Sequence, residues 1–122
     1  PVVSKNEGES NMKLIKVGEG KPYDAPRHFN YWSISKLDPE SVSKRLHIGV
    51  SHFLPGGGAE FSASPLERVY FCVEGKITVK GKTEEYHLEP GDMIYIANGE
   101  ERSFQVSNTK PATILVIMAK PD

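Results

Sequence analysis

The sequence predicts an all-β protein, a sandwich or a barrel. Three observations point there. Short runs are rich in aromatic and β-branched residues, turn signals separate them roughly every 8–12 residues, and no stretch holds a helical period. The tally is about eight or nine strands. A chain of 122 residues is expected to form one domain, at a length where about two-thirds of the unfolded surface can be buried.

The elements follow in order. Met12 to Val17 (MKLIKV) alternates apolar and polar residues, as a short strand does. Gly18 to Pro26 holds two glycines and two prolines and reads as loop. His28 to Ile34 (HFNYWSI) is aromatic-rich and reads as strand. Asp38-Pro39 opens a turn, with room for one helical turn over Asp38 to Lys44. Arg45 to Leu54 (RLHIGVSHFL) is a long strand, with Leu46, Ile48, Val50 and His52 on one face and His47, Ser51 and Phe53 on the other. The Pro55-Gly56-Gly57-Gly58 run is expected to break it.

The clearest strand is Arg68 to Val73, closed by Gly75. Lys76 to Lys80 alternates, and Gly81-Lys82 reads as a hairpin turn into Thr83 to Leu88. Pro90-Gly91 has the order of a type II turn, ahead of a strand at Met93 to Ile96. Asn98-Gly99 is another turn signal, followed by strands at Arg102 to Val106 and Ala112 to Met118.

Composition narrows the function classes. A formal net charge of −1 gives no reason to expect nucleic acid or an anionic membrane as partner. Cys72 is the single cysteine, so no intrachain disulfide and no cysteine-rich zinc site can form, and a reducing, cytoplasmic location is expected. No apolar run approaches the roughly 20 residues that span a bilayer. Residues 1–11 are polar, unlike a secretory signal, and are expected to be an unstructured or appended tail, with Met12 as the natural start and a single domain over 12–122.

Two stretches carry a family resemblance. Pro55-Gly56-Gly57, then Ser62-Ala63-Ser64-Pro65-Leu66-Glu67-Arg68, then Tyr70 to Gly75, resembles the first signature of the cupin superfamily. In that family it runs Pro-Gly, His-x-His, three or four residues, Glu, six residues, Gly. Pro90 to Phe104 resembles the second signature, which ends in a histidine. The resemblance implies a double-stranded β-helix, the cupin jelly-roll barrel. It also implies a homodimer, paired through edge strands such as Met12 to Val17 and His28 to Ile34.

The resemblance matters most where it fails. Ser62 and Ser64 fall where the family has two histidines, Arg68 where it has a glutamate, and Arg102 where it has its last histidine. In a second register Glu67 is the retained glutamate. Arg has no lone pair to give and repels a cation, while transition metals need imidazole, carboxylate or thiolate. No metal and no other cofactor is therefore expected. Two arginines in one pocket need a counter-charge, either internal through Glu60, Glu67 or Glu101, or a bound anion.

The expected ligand is a small organic anion, carboxylate or phosphate. Arg68 and Arg102 would hold its charge; Ser62, Ser64 and Tyr70 would add hydrogen bonds; Phe53 and Phe104 would supply apolar wall; Cys72 would follow on the same strand face. By period alone, Val69, Phe71 and Val73 would be buried and the Arg68/Tyr70/Cys72 face exposed. Only the resemblance turns the mixed face inward. Beside Arg68, the Cys72 thiol would be expected to ionise more readily. Candidate acids and bases for isomerase- or lyase-type proton transfer are His47, Tyr70 and Glu67. His28 and His87 read as edge or loop residues, and His52 as core or interface. The alternatives are a non-catalytic sensor or accessory module, or a metal enzyme with ligands relocated among His47, His52, Glu60 and Glu67. His47 and His52 face opposite sides of one strand, which argues against joint ligation.

Overall fold

A computed structural model describes residues 11–40 and 43–120. The expected tail falls almost wholly outside the described residues, and the expected helical turn after Asp38 partly so. The described chain is all-β, with nine strands. They are β1 (Lys21–Tyr23), β2 (His28–Leu37), β3 (Leu46–Ser62), β4 (Arg68–Glu74), β5 (Ile77–Lys80), β6 (Glu85–Leu88), β7 (Met93–Ile96), β8 (Arg102–Val106) and β9 (Ala112–Ala119).

All pairings are antiparallel, in the order β6-β5-β8-β3-β9-β4-β7, with β2 also on β3 and β1 on β2. β3 is the hinge of the barrel. Its first half pairs with β9 and β2, and its second half, from Gly58, pairs with β8. One strand thus belongs to both walls and folds the sheet into a nearly closed barrel.

The glycine run does not break β3, contrary to expectation. The strand continues through it for 17 residues. Glycine is needed there because backbone crowds in from both sides: a Cβ on Gly58 would overlap the Phe104 carbonyl, and one on Gly57 the Asn30 carbonyl. The run therefore lets β3 cross between walls.

Two other expectations change. Met12 to Val17 forms no strand; Met12, Leu14 and Val17 are exposed. Instead a strand forms at Lys21–Tyr23, inside the expected loop, because it can pair with Ser33 to Ser35 of β2. β3 pairs along one side of β2, while β1 covers only Ser33 to Ser35 on the other, so among the described residues His28 to Trp32 keeps an open edge. The Pro90-Gly91 turn forms as expected, with Gly91 at φ 96° and the Asp92 amide donating to the Glu89 carbonyl at 2.9 Å.

The core lies between the walls: Phe53, Tyr70, Cys72, Ile77, Val79, Leu88, Phe104, Val106, Ile114 and Val116 among others. In β4 the mixed face points inward. Tyr70 and Cys72 are buried while Val73 is exposed, as the resemblance implied and strand period alone did not.

Candidate functional site

The inner face of the barrel is built in rows set by strand register. Nearest the mouth stand His47, Met118, Arg68 and Ile96. The next row holds Ser35, Gly49, Val116 and Tyr70, and the deeper one Tyr23, Ser33, Ser51, Ile114 and Cys72. From the opposite wall Arg102 enters at the register of Ser62. A cavity of about 320 Å³ opens between them, within the usual range for small-molecule sites.

Ser62, Ser64, Arg68, Tyr70, Arg102 and His47 all line this cavity. Arg102 is buried, at 8% exposure. Its Nη1 donates to the Ser62 carbonyl and its Nη2 to the Tyr70 hydroxyl, each at 2.8 Å. The guanidinium also lies 5.9 Å from the Tyr70 ring centre, within cation–π reach. Its Nε has no hydrogen-bond partner among the described residues. Arg68 is half-buried; it donates from Nη2 to the Ser64 hydroxyl and from Nε to the Leu66 carbonyl.

Neither guanidinium is paired with a carboxylate among the described residues, and the cavity lining contains no Asp or Glu. Glu67 turns the other way and accepts from the Tyr95 hydroxyl at 2.7 Å, so Arg68 holds the inward position of the motif. Glu101 pairs with Lys82 at 3.2 Å, and Glu60 is exposed.

Three predicted ligand residues sit elsewhere. Phe53 and Phe104 do not line the cavity; they pack one layer below, Phe104 edge-on to Phe53 at 5.2 Å and to Tyr70 at 5.3 Å. They brace the site rather than wall it. Cys72 is fully buried, with its thiol near the Gly75 carbonyl at 3.3 Å. Burial first, then the Asp92 charge, push that thiol up rather than down, so the expectation of a readily ionised cysteine is reversed.

Among the lining residues that sequence reasoning missed, two are titratable. His28, expected at an edge, lines the cavity, stacked over Phe53 and edge-on to Phe104 at 5.4 Å. Its Nδ1 lies 2.8 Å from the Pro26 carbonyl. Burial depresses its basicity; the Pro26 carbonyl opposes this, and Arg102 and Arg68 add to it. His47 is depressed likewise, by burial first and then by Arg68 and Lys120, against the pull of Asp38. Tyr23 is the second. Its ring lies over Gly49, where a Cβ would come within 3.3 Å, and 5.8 Å from the His47 ring. Burial raises its phenol, against hydrogen bonds from Ser33 and Ser51. Those two serines are themselves buried and bonded, Oγ to Oγ, at 2.7 Å. The signal was the inward Ser51 opposite Ser33, which only strand pairing reveals.

The lining offers poor terms to a divalent cation. His28 and His47 are its only imidazoles, two guanidiniums face it, and among the described residues no group of three or more His, Cys, Asp or Glu is placed to hold a metal. The residues at the family's four ligand positions do not fit a metal. His52, named as a relocated ligand, points outward, stacks on Trp32 at 4.9 Å and bonds Thr113. His87 is exposed, near Thr78 and Glu85. No helix among the described residues is long and apolar enough to cross a membrane.

Comparison with known proteins agrees with this architecture. Several solved structures share the fold. The polyketide cyclase RemF from Streptomyces resistomycificus superposes with a TM-score of 0.78 at 18% identity, over 88% of this chain and 79% of that one. KdgF from Halomonas sp. does so with a TM-score of 0.74 at 12% identity, over 90% and 96%. A β-D-galactosidase of Mycobacterium tuberculosis is 31% identical over 111 residues, 90% of this chain and 96% of that protein. The cupin domain family model matches residues 49–118, from near the start of β3 almost to the end of β9. With the barrel, both motif turns and that match in agreement, the chain belongs to the cupin superfamily.

Proposed function

We propose that this cupin works without a metal and binds a small organic anion between Arg68 and Arg102. One observation carries the reading: two guanidiniums face a cavity whose lining has no carboxylate, and the buried one keeps an N–H unspent. A buried cation without a counter-ion is costly, and a carboxylate or phosphate supplies both the charge and the acceptor. The chemistry that fits is proton transfer of the isomerase or lyase type. His28 and His47 have depressed basicity, so each is neutral near pH 7 and free to accept a proton. A base removes the proton beside the ligand's carboxylate, and the arginines hold the enediolate charge. The proton then returns to the same carbon from its other face, inverting it, or a β-substituent leaves with its bonding electron pair and takes up the proton. Tyr70 is placed to donate its hydroxyl proton, since that oxygen already accepts from Arg102.

The test is a thermal-shift and calorimetric screen of small carboxylates and phosphates against wild type and Arg102→Gln. Stabilisation of wild type that the variant loses is expected. No response to any anion would overturn the reading.

A second reading, hydrolysis of β-D-galactosides, is favoured by the 31% identity to the mycobacterial β-D-galactosidase. The usual pair of glycosidase carboxylates is not offered by the lining, so Tyr70 and the histidines would have to serve. Release of nitrophenol from a nitrophenyl β-D-galactoside, lost in Tyr70→Phe, would establish it.

A further inference from the structure

The cavity is polar at two separate places, and they differ in kind. On the β4 and β8 side stand the cations Arg68 and Arg102. On the β1 and β3 side stands a neutral group: the Tyr23 phenol over Gly49, and the Ser51 hydroxyl held by Ser33 behind it. Between them β9 contributes only Val116 and Met118 to the lining. β3 and β4 flank β9, so the two polar walls stand about 10 Å apart at strand-to-strand spacing, less the reach of the side chains.

A bare carboxylate uses one wall and leaves the other idle. Ser33 and Ser51 are as buried as any residues in the protein, and neutral hydroxyls so deep are expensive unless bonded. Ser33 and Ser51 satisfy one another and hydrogen-bond the Tyr23 hydroxyl, which leaves lone pairs of the Tyr23–Ser51 group to accept from a ligand hydroxyl in the cavity. Gly49 makes the arrangement possible, because any side chain there would push the Tyr23 ring away.

Resting on the anion-site reading above, we infer that the ligand is a monosaccharide acid: one carboxylate for Arg68 and Arg102, and ring hydroxyls for Tyr23 and Ser51, with the carbon skeleton across Val116 and Met118. The cavity volume of about 320 Å³ suits one sugar ring rather than a chain of them.

Three probes separate the parts: D-galacturonate, cyclohexanecarboxylate with the same charge and ring size but no hydroxyls, and neutral D-galactose. Binding is measured by calorimetry on wild type, Tyr23→Phe and Ser51→Ala. Galacturonate is expected to bind at least ~10-fold more tightly than either partial probe. Each variant should weaken galacturonate by about 2- to 10-fold, the range of a single hydrogen bond, and leave cyclohexanecarboxylate unchanged. Tyr23→Phe removes only an oxygen, so it keeps the test decisive if Ser51→Ala unfolds. Equal affinity for the two carboxylates, or variants that weaken both alike, would overturn the inference and leave the anion site standing. Binding of neither carboxylate would bring down the anion site as well.

Discussion

The Arg102 guanidinium donates to the Tyr70 hydroxyl at 2.8 Å and so ties β8 to β4 across the barrel. The two strands are not neighbours in the sheet. Arg102 also reaches the Ser62 carbonyl at the end of β3. One side chain thus spans three strands and leaves its buried Nε without a partner among the described residues. The residue proposed to hold the anion also holds the walls of its cavity together.

Arg102→Gln is therefore expected to cost both function and fold. It leaves the half-buried Ser62 carbonyl and the buried Tyr70 hydroxyl short of a partner, a loss of about 1–3 kcal/mol. Urea unfolding measures it. A variant as stable as wild type would show that the Tyr70 and Ser62 contacts contribute nothing net.

Arg68→Gln should behave differently. Arg68 is only half-buried, and its bonds go to Ser64 and Leu66 on the adjoining loop. Removing it takes one of two like charges from a shared cavity, which relieves repulsion. The unfolding midpoint is expected to stay level or rise while anion binding falls at least ~10-fold. Stability exchanged for function in this way is common at binding sites. A lowered midpoint with intact binding would contradict it.

These two arginines were legible in the sequence through the family signatures: Arg68 stands before Gly75 with six residues between them, Glu67 being the other register, and Arg102 falls at the histidine that ends the second signature. Strand period was a poorer guide. It would have buried Val73 and exposed Tyr70, whereas the barrel covers the Tyr70 face and leaves Val73 in the open. Alternation identifies two faces; which one is inside depends on what the rest of the chain lays over it. Tyr23 was hidden for a related reason. Its strand has three residues, one a proline, and exists only because β2 offers it partners. His28 was hidden because its aromatic neighbours in space, Phe53 and Phe104, come from strands far along the chain.

Stability should fall on mild acidification, and His28 should be a cause. Its folded basicity is depressed from the ordinary value of 6.5. Between that depressed value and 6.5 the unfolded chain binds the extra proton, so stability rises with pH in this window and is full above it. As pH falls below 6.5 the stability is lost until the folded histidine is itself protonated. His47 shifts in the same direction, so His28→Asn should flatten the slope only in part. An anion in the cavity would oppose Arg68 and Arg102 and raise the His28 value, which NMR titration with and without galacturonate would read. An unchanged slope in His28→Asn would show that His28 carries no linked proton.

Gly58→Ala should disrupt the barrel, although it adds a single methyl. The new Cβ would overlap the Phe104 carbonyl, which is backbone and cannot rotate aside. Strain of about 1–3 kcal/mol or more is expected, with separation of β3 from β8 near the Gly58–Gln105 pair. Gly18→Ala is the control, since nothing lies within 4 Å of a Cβ there. Equal thermal midpoints for the two variants would remove the close approach as the reason for glycine at 58.

The outer face of the β2-β3-β9-β4-β7 wall carries one apolar row, flanked at its β2 end by Ile15 and Val17 and by the Trp32–His52 pair. Trp32 stands opposite His52, Ile34 opposite Val50, Val50 opposite Leu115, Leu115 opposite Phe71 and Phe71 opposite Met93. Trp32 and Met93, at the two ends of this wall, are more than half exposed. A contiguous apolar face of this kind marks an interaction surface, and a twofold pair of identical chains is the commonest way soluble proteins cover one. We propose that a second copy of the chain packs here, wall against wall. Light scattering should return twice the chain mass of 13.5 kDa. Phe71→Glu and Leu115→Glu should halve it, because each places a charge within the buried row. The cavity lies on the other side of the wall, so a monomeric variant that remains folded should still bind its anion. A wild type that runs as a monomer at micromolar concentration would sink this interface.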